Sequence, residues 1–407
     1  MGMDKINEVM QDYVKNQEIS GAALLVRRGD EILYENRWGY SRCETNQEIK
    51  EDSIYRLMSM TKCITAVAVM ICIEKGLLEL DAPLSRYIPE FAGMQVMEDP
   101  RYEFSMDKMK KIPLLLLTFS MNKVKRTDAE REITIRDLLS HSSGLQQGLV
   151  GLLALMKEKK QYDNLRDFVL HYTDYVLDFQ PGRGTGYSPL AGFDILGYLV
   201  SVVSGMPFED FMQKEICQPL DMKDTTFFLN DEQKKRLVDV YKRKKDKLVN
   251  VTGTKKDMQG IMHQKEILFE HGCGGLFSTL HDYDHFGDML LHEGSYHGKR
   301  ILKPETVQLL HTEAPKEHLE PEQGFVWGLG MKIRQDKEKG GFAVSEGTYG
   351  WSGAFGTHFF ISPADDLEVV FMTNRSDLEG SGSYISAKIE ELVASIWEEG
   401  GEIKQHG

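Results

Sequence analysis

The chain has 407 residues, 41% of them hydrophobic, and a net charge of −14. That length and apolar content support a large core in one or two domains. The acidic balance argues against a nucleic-acid binder, whose electrostatic footprint is a basic patch.

Ile6, Val9, Met10, Tyr13 and Val14 recur at helical spacing and predict a helix at the start. Met1-Gly2-Met3-Asp4-Lys5 lacks the basic-then-apolar order of a secretory signal. Ile6 stands where a myristoylation motif carries Ser or Thr. Ala22 to Val26 predicts a strand, turned by Arg28-Gly29-Asp30-Glu31 into a second strand from Ile32 to Trp38. Ile54-Tyr55-Arg56-Leu57 follows as the end of an extended segment, and then Ser59-Met60-Thr61-Lys62. The run from Cys63 to Ile73 carries no charge and is apolar on nearly every face, so it predicts a buried helix ending near Gly76.

Leu80-Asp81-Ala82-Pro83 opens a mostly helical middle, in which residues 97–130, rich in charge and methionine, predict a surface insertion. A helix from Ile133 to Leu139 ends at His141-Ser142-Ser143-Gly144-Leu145. Another, Leu190 to Ser204, carries Leu196, Leu199, Val200 and Val203 at helical spacing. Lys242-Arg243-Lys244-Lys245-Asp246-Lys247 lies between two short apolar runs and predicts a solvated hairpin tip.

Strands return at Val326 to Ile333, Phe342 to Ser345, Phe355 to Ile361 and Leu367 to Met372, the last two joined by a turn at Ser362-Pro363-Ala364-Asp365-Asp366. A closing helix has Ile385, Ile389, Leu392, Val393 and Ile396 on one face. Strands at both ends and helices between predict an α/β (α+β) fold. One antiparallel sheet is built from both chain ends and flanked by the terminal helices. The expected division is residues 1–80 with 265–407 as the sheet domain and 81–264 as an inserted, mostly helical domain. No uncharged apolar run reaches the roughly 18 residues of a membrane span. The five cysteines (Cys43, Cys63, Cys72, Cys217, Cys273) are scattered and read as reduced thiols, with neither a disulfide framework nor a metal site. A soluble, cytoplasmic protein without cofactor is expected.

The chemistry centres on Ser59 and Lys62. They sit one turn apart at the head of the apolar helix, where an ammonium is expensive to bury and an amine can serve as general base to the hydroxyl. The helix N-terminus adds N–H groups suited to a developing oxyanion. The S-x-x-K pattern also occurs at Ser105 and Ser120, but neither serine opens an apolar helix. Tyr187 is the candidate proton relay: it follows the glycine-rich Gln180-Pro181-Gly182-Arg183-Gly184-Thr185-Gly186 and precedes Ser188-Pro189. Gly350-Trp351-Ser352-Gly353-Ala354-Phe355-Gly356-Thr357 is the candidate second wall, its small residues allowing close approach to a substrate.

Tyr55-Arg56-Leu57-Met58-Ser59-Met60-Thr61-Lys62, followed by Ile64-Thr65-Ala66, resembles the active-site helix of the serine β-lactamase-like hydrolases. The nearest branch holds class C β-lactamases, D,D-peptidases, D-aminopeptidases and family VIII carboxylesterases. Further landmarks agree in order and spacing: Gly76-Leu77 with Leu80 to Pro83, Ile133 to Leu145, Phe179-Gln180-Pro181-Gly182 with Tyr187-Ser188, Gly274 to Thr279, and Trp351-Ser352-Gly353.

The resemblance implies a penicillin-binding-protein-like fold, with Ser59 as acylated nucleophile, Lys62 as its base and Tyr187 as the proton shuttle. It implies an oxyanion hole from the backbone N–H groups of Ser59 and Ala354, and substrate contacts from Trp351, Ser352, Gly353 and position 189. His141 falls in a motif taken as structural. Two departures matter. Pro189 replaces the family's Asn, and Trp351 replaces the Lys of K-T-G, which supplies positive charge towards anionic substrates. The Glu-x-x-Leu-Asn element of class A enzymes is absent from the sequence. The expectation is an esterase on small acyl esters. The alternatives are a β-lactamase, D,D-peptidase or D-amino-acid amidase on the same machinery, or a non-catalytic relative. A small ester or amide substrate is the only partner implied.

Overall fold

The computed structural model of the chain describes residues 2–158, 160–254, 257, 268–312, 324–341, 343–378, 380 and 382–398. The elements that position the site are, in chain order, α1 (Gly2–Lys15), β1 (Gly21–Arg28), β2 (Glu31–Arg42), β3 (Gln47–Glu48), α2 (Thr61–Glu74), α3 (Ile112–Thr118), α4 (Leu149–Lys157), α5 (Ala191–Ser204), α6 (Leu280–Leu291), β4 (Phe325–Trp327), β5 (Lys332–Arg334), β6 (Tyr349–Ser352), β7 (His358–Ser362), β8 (Leu367–Met372) and α7 (Tyr384–Glu398).

Eight strands form one antiparallel sheet in the order β4-β5-β6-β7-β8-β1-β2-β3. The last long strand therefore pairs with the first, Leu25 opposite Val370 and Leu24 opposite Phe371. Successive side chains on a strand face opposite ways. Ala22, Leu24 and Val26 of β1, with Val369 and Phe371 of β8, lie in a core shared with Ile6 and Met10 of α1 and Ile385, Ile389, Leu392 and Val393 of α7. Ala23 and Leu25, with Val370 and Met372, face the other core, which contains α2 and α6. The sheet is thus covered on both sides, and its central strands β1 and β8 read as near-continuous apolar runs. Ile396 was expected on the same face of α7; its side chain lies outside the described residues.

α2 is buried from Thr61 through Cys72. A helix enclosed on all sides has to be apolar all round, which explains the uncharged run after Lys62. The Tyr283 hydroxyl of α6 donates to Met60 O at 3.0 Å and pins the head of α2.

The middle of the chain is mostly helical, with two short strand pairs, Gln95–Met97 with Arg126–Asp128 and Tyr241–Lys244 with Lys247–Asn250. The second is the expected basic hairpin, turning at Lys245 and Asp246. It is tied to the sheet region by Val238 N–H to Ile54 O at 2.9 Å and Tyr241 N–H to Asn374 O at 3.2 Å. The expected boundary at 264/265 falls outside the described residues.

Four local expectations differ from the structure, one of them the strand expected from Phe355, which begins at His358 after a turn through Gly356 at φ +95°. Val326 to Ile333, expected as one strand, is two: β4 and β5 form a hairpin with Val326 opposite Ile333. The chain reverses between them, where Gly330 takes φ +90°. Phe342 lies outside the described residues, and Ala343 to Ser345 are not strand. The strand there comes later, as β6. The helix expected from Ile133 begins at Ile135, because Thr134 caps it in a box with Asp137.

Candidate active site

Ser59 lies in the short 3-10 turn Met58–Met60 that runs into α2, and its side chain is only partly buried. Met58, just before it, has φ +50°, an uncommon conformation for a residue with a side chain. That backbone is held by packing: the Met58 side chain is buried with Val240, Val251 and Phe355. The segment before the turn is held as well, since Leu57 N–H donates to Leu276 O at 3.0 Å and Leu276 N–H donates to Thr61 Oγ1 at 3.2 Å.

Lys62 is fully buried one turn into the helix. Its Nζ donates to Cys273 O at 2.7 Å and Pro189 O at 2.9 Å, and lies 3.3 Å from Ser59 Oγ. The nitrogen thus has two carbonyls and one hydroxyl around it. Two N–H bonds are used by the carbonyls, leaving its remaining direction towards Ser59. Pro189 has no side-chain amide to offer, and its backbone carbonyl takes the contact instead.

The Tyr187 hydroxyl lies 2.6 Å from Ser59 Oγ. His141 holds both neighbours of this tyrosine. Its backbone O accepts from Gly186 N–H at 3.1 Å, and its Nδ1 accepts from Ser188 N–H at 3.2 Å. Accepting at Nδ1 leaves the ring proton on Nε2. Burial, reinforced by the charge of Lys62, holds His141 well below the ordinary histidine range, so the ring is neutral. It packs on Tyr187 at 5.0 Å and on Trp327 at 4.3 Å between ring centroids.

Trp351 and Trp327 complete an aromatic wall. Trp327 of β4 stacks on Tyr187 at 5.8 Å, and the two indoles meet edge to face at 4.6 Å. Trp351 Nε1–H points to the Tyr187 hydroxyl at 3.4 Å. The indole therefore offers a neutral donor beside the tyrosine oxygen, with no full charge.

Gly353 brings the end of β6 against the Ser59 turn. A Cβ built there would lie 2.2 Å from Leu57 O and 2.1 Å from Thr357 Oγ1, so only glycine fits. Thr357 Oγ1 then donates to Leu57 O at 3.0 Å and fastens the two segments. The amides of Ser59 and Ala354 have no hydrogen-bond partner among the described residues. Ser352 points away from this group: its Oγ is 2.7 Å from His358 Nδ1, and His358 Nε2 is 3.0 Å from Glu390 Oε1 of α7, on the terminal-helix side of the sheet.

The structure thus brings together Ser59, Lys62, Tyr187, Pro189, Trp351, Gly353 and the Ala354 amide, and turns the Ser352 side chain to the opposite face. Sequence reading did not single out the Cys273 carbonyl, Trp327 or Asp194. Asp194 of α5 is fully buried and its Oδ1 accepts from Cys273 N–H at 3.2 Å, so it steadies the carbonyl that holds Lys62. His271 and Cys273 lie with it in one buried cluster, their donor atoms within 4.8 Å of one another. The glycine-rich Gly274-Gly275 was the sequence signal near Cys273. The other two S-x-x-K serines lie in the surface insertion, where Lys108 Nζ binds Pro100 O at 2.6 Å.

A model of the family described as Beta-lactamase matches residues 6–394. Esterase EstB of Burkholderia gladioli is 25% identical over 409 residues, covering 96% of this chain and 94% of its own. Among solved structures, EstCE1, described as a hydrolase with promiscuous acyltransferase activity, aligns with a TM-score of 0.74 at 22% identity, covering 97% of this chain and 98% of its own. Simvastatin Synthase (LovD) from Aspergillus terreus aligns with a TM-score of 0.76 at 21% identity, covering 98% and 100%.

Proposed function

Because the chain belongs to the beta-lactamase family, we propose that it is a serine hydrolase working through an acyl-enzyme on small acyl esters. The observation that carries this reading is the shared contact at Ser59 Oγ, 2.6 Å from the Tyr187 hydroxyl and 3.3 Å from Lys62 Nζ. Proton transfer needs about 2.6–3.2 Å, a reach that substrate-free sites often exceed slightly.

Ser59 Oγ attacks the ester carbonyl and its proton passes to the Lys62–Tyr187 pair. The oxyanion takes hydrogen bonds from the Ser59 and Ala354 amides. As the bond to the alcohol breaks, Tyr187 returns the proton to the leaving oxygen and the acyl group remains on Ser59. Water then gives a proton to the same pair, attacks the acyl carbonyl and releases the acid, and Ser59 regains its proton.

The ester preference rests on Trp351 and Trp327, which line the Tyr187 side with rings and no full charge. An uncharged wall suits an apolar acyl group better than an anionic β-lactam or peptide carboxylate. Esterase EstB of Burkholderia gladioli, similar over nearly the whole chain, agrees with this preference. We further propose the two-part division of the chain, residues 1–80 with 265–407 and 81–264, and a cytoplasmic location.

The test is turnover of p-nitrophenyl acetate and butyrate beside nitrocefin and a D-Ala-D-Ala peptide, with wild type and Ser59→Ala. Ester hydrolysis that disappears in the variant, with no nitrocefin turnover, is expected. Preference for nitrocefin or the peptide would give the site to amide chemistry, and undiminished activity in Ser59→Ala would remove Ser59 from the reaction.

A further inference from the structure

Residues 104–126 form a surface that the proposed catalysis does not use. Among the described residues, the four most exposed large apolar side chains are Leu117 (81%), Phe104 (65%), Leu114 (63%) and Met156 (52%). Three of them lie in this stretch. Met156 lies on α4, the helix against which α3 packs. The sequence of α3 divides it: Ile112, Leu115 and Leu116 pack on the core, while Leu114 and Leu117, three residues apart and so on one face, stand in solvent. Single exposed leucines are ordinary, but Leu114 and Leu117 on one face of α3, with Met156 on the helix it packs against and Phe104 eight residues before it in the chain, mark a contact surface.

Charge is gathered on the same stretch. From Lys108 to Arg126 there are six basic residues and no acidic one, in a chain of net charge −14. Lys110 reaches Asp107 only at 3.9 Å, with both side chains largely exposed. Lys111, Lys123 and Lys125 have no side-chain ion pair among the described residues, whereas Arg126 lines a cavity with Glu90, Glu158, Asp163, Asp167 and Asp174. Glu103, Asp107 and Asp128 stand at its edges.

We propose that this face docks on an anionic lipid surface, Phe104, Leu114 and Leu117 entering the interface and the lysines meeting lipid phosphates. Charge complementarity selects this occupant. A second copy in a two-fold contact would bring the same basic patch against itself. No single helix among the described residues is long and apolar enough to cross a membrane. The mode is therefore that of a segment lying in the interface plane, held by its apolar face and by attraction to anionic lipid.

The experiment sediments the whole chain with vesicles of phosphatidylcholine alone, or with about a third phosphatidylglycerol, at about 0.05 M and about 0.5 M salt. Binding to the anionic vesicles at low salt is expected, weaker by about tenfold or more on neutral vesicles or at high salt. Two double variants, Leu114→Glu with Leu117→Glu and Lys110→Glu with Lys111→Glu, should lose it. Their melting temperature and turnover of a soluble ester should be unchanged, because the altered side chains are exposed. Failure of the wild type to sediment with anionic vesicles, or equal sedimentation of the variants, would overturn the proposal. So would a concentration-dependent dimer in light scattering that the variants break in the absence of vesicle binding, which would assign the face to a second copy.

Discussion

Cys273 holds Lys62 by its backbone carbonyl at 2.7 Å, closer than the 3.3 Å from the same nitrogen to Ser59 Oγ. The lysine is thus aimed by groups that take no part in bond making. With Pro189 O on its other side, the amine has little freedom to turn away from the serine.

Removing that amine should stop acylation nearly as fully as removing the nucleophile. Lys62→Met is expected to lower the rate of fluorophosphonate labelling at Ser59 by about a thousandfold or more. The label should map by mass spectrometry to Ser59 and not to Ser105 or Ser120. Labelling of Lys62→Met at near wild-type rate would mean that another group takes the serine proton.

Tyr187→Phe keeps the ring that stacks on Trp327 and removes only the hydroxyl beside Ser59. kcat should fall by about a hundredfold or more, with a much smaller change in KM, if the hydroxyl acts as proposed, on the leaving group in the transition state. A raised KM with normal kcat would make the tyrosine a binding residue instead.

Asp194 supports the Cys273 end of the lysine clamp. Asp194→Asn retains an acceptor for Cys273 N–H and should keep most of the activity. Asp194→Ala leaves that buried N–H unpaired, at about 1–3 kcal/mol of stability, and should also lower kcat. A variant that melts earlier but turns over normally would show that the carboxylate serves the fold alone.

Glu390 predicts an acid limb of stability. Burial pushes its carboxyl up, but Arg334 and His358 outweigh that and hold it at about 2, against an ordinary value of 4.5. The unfolded chain therefore binds the proton first as pH falls. The stabilisation is complete above about 4.5, is lost between there and about 2, and amounts to about 3 kcal/mol. Urea unfolding across that range should show the loss in wild type. Glu390→Gln should be less stable at neutral pH, because Arg334 is left buried without its partner, and should lose less on acidification. An identical acid limb in the variant would rule out Glu390 as its source.

What was legible in the sequence was local. Ser59 and Lys62 are one helical turn apart, and an uncharged run follows them, so spacing alone put both at the head of a buried helix. The apolar runs of β1 and β8 and the spaced faces of α1 and α7 were equally readable, because period and composition are properties of neighbouring residues. Tertiary structure decided the contacts that cross the chain. The Cys273 carbonyl lies 211 residues from Lys62, and Trp351 meets Tyr187 across 164. No periodicity encodes which backbone oxygen will face a buried amine. Register decided Ser352: one step along β6 from Trp351, its side chain takes the other face of the sheet and meets His358. The hairpin of β4 and β5 turned on the backbone conformation at Gly330, which composition does not report, and only that turn carries Trp327 to the tyrosine. Short-range order follows from which side chains recur. The site follows from which distant segments the two cores press together.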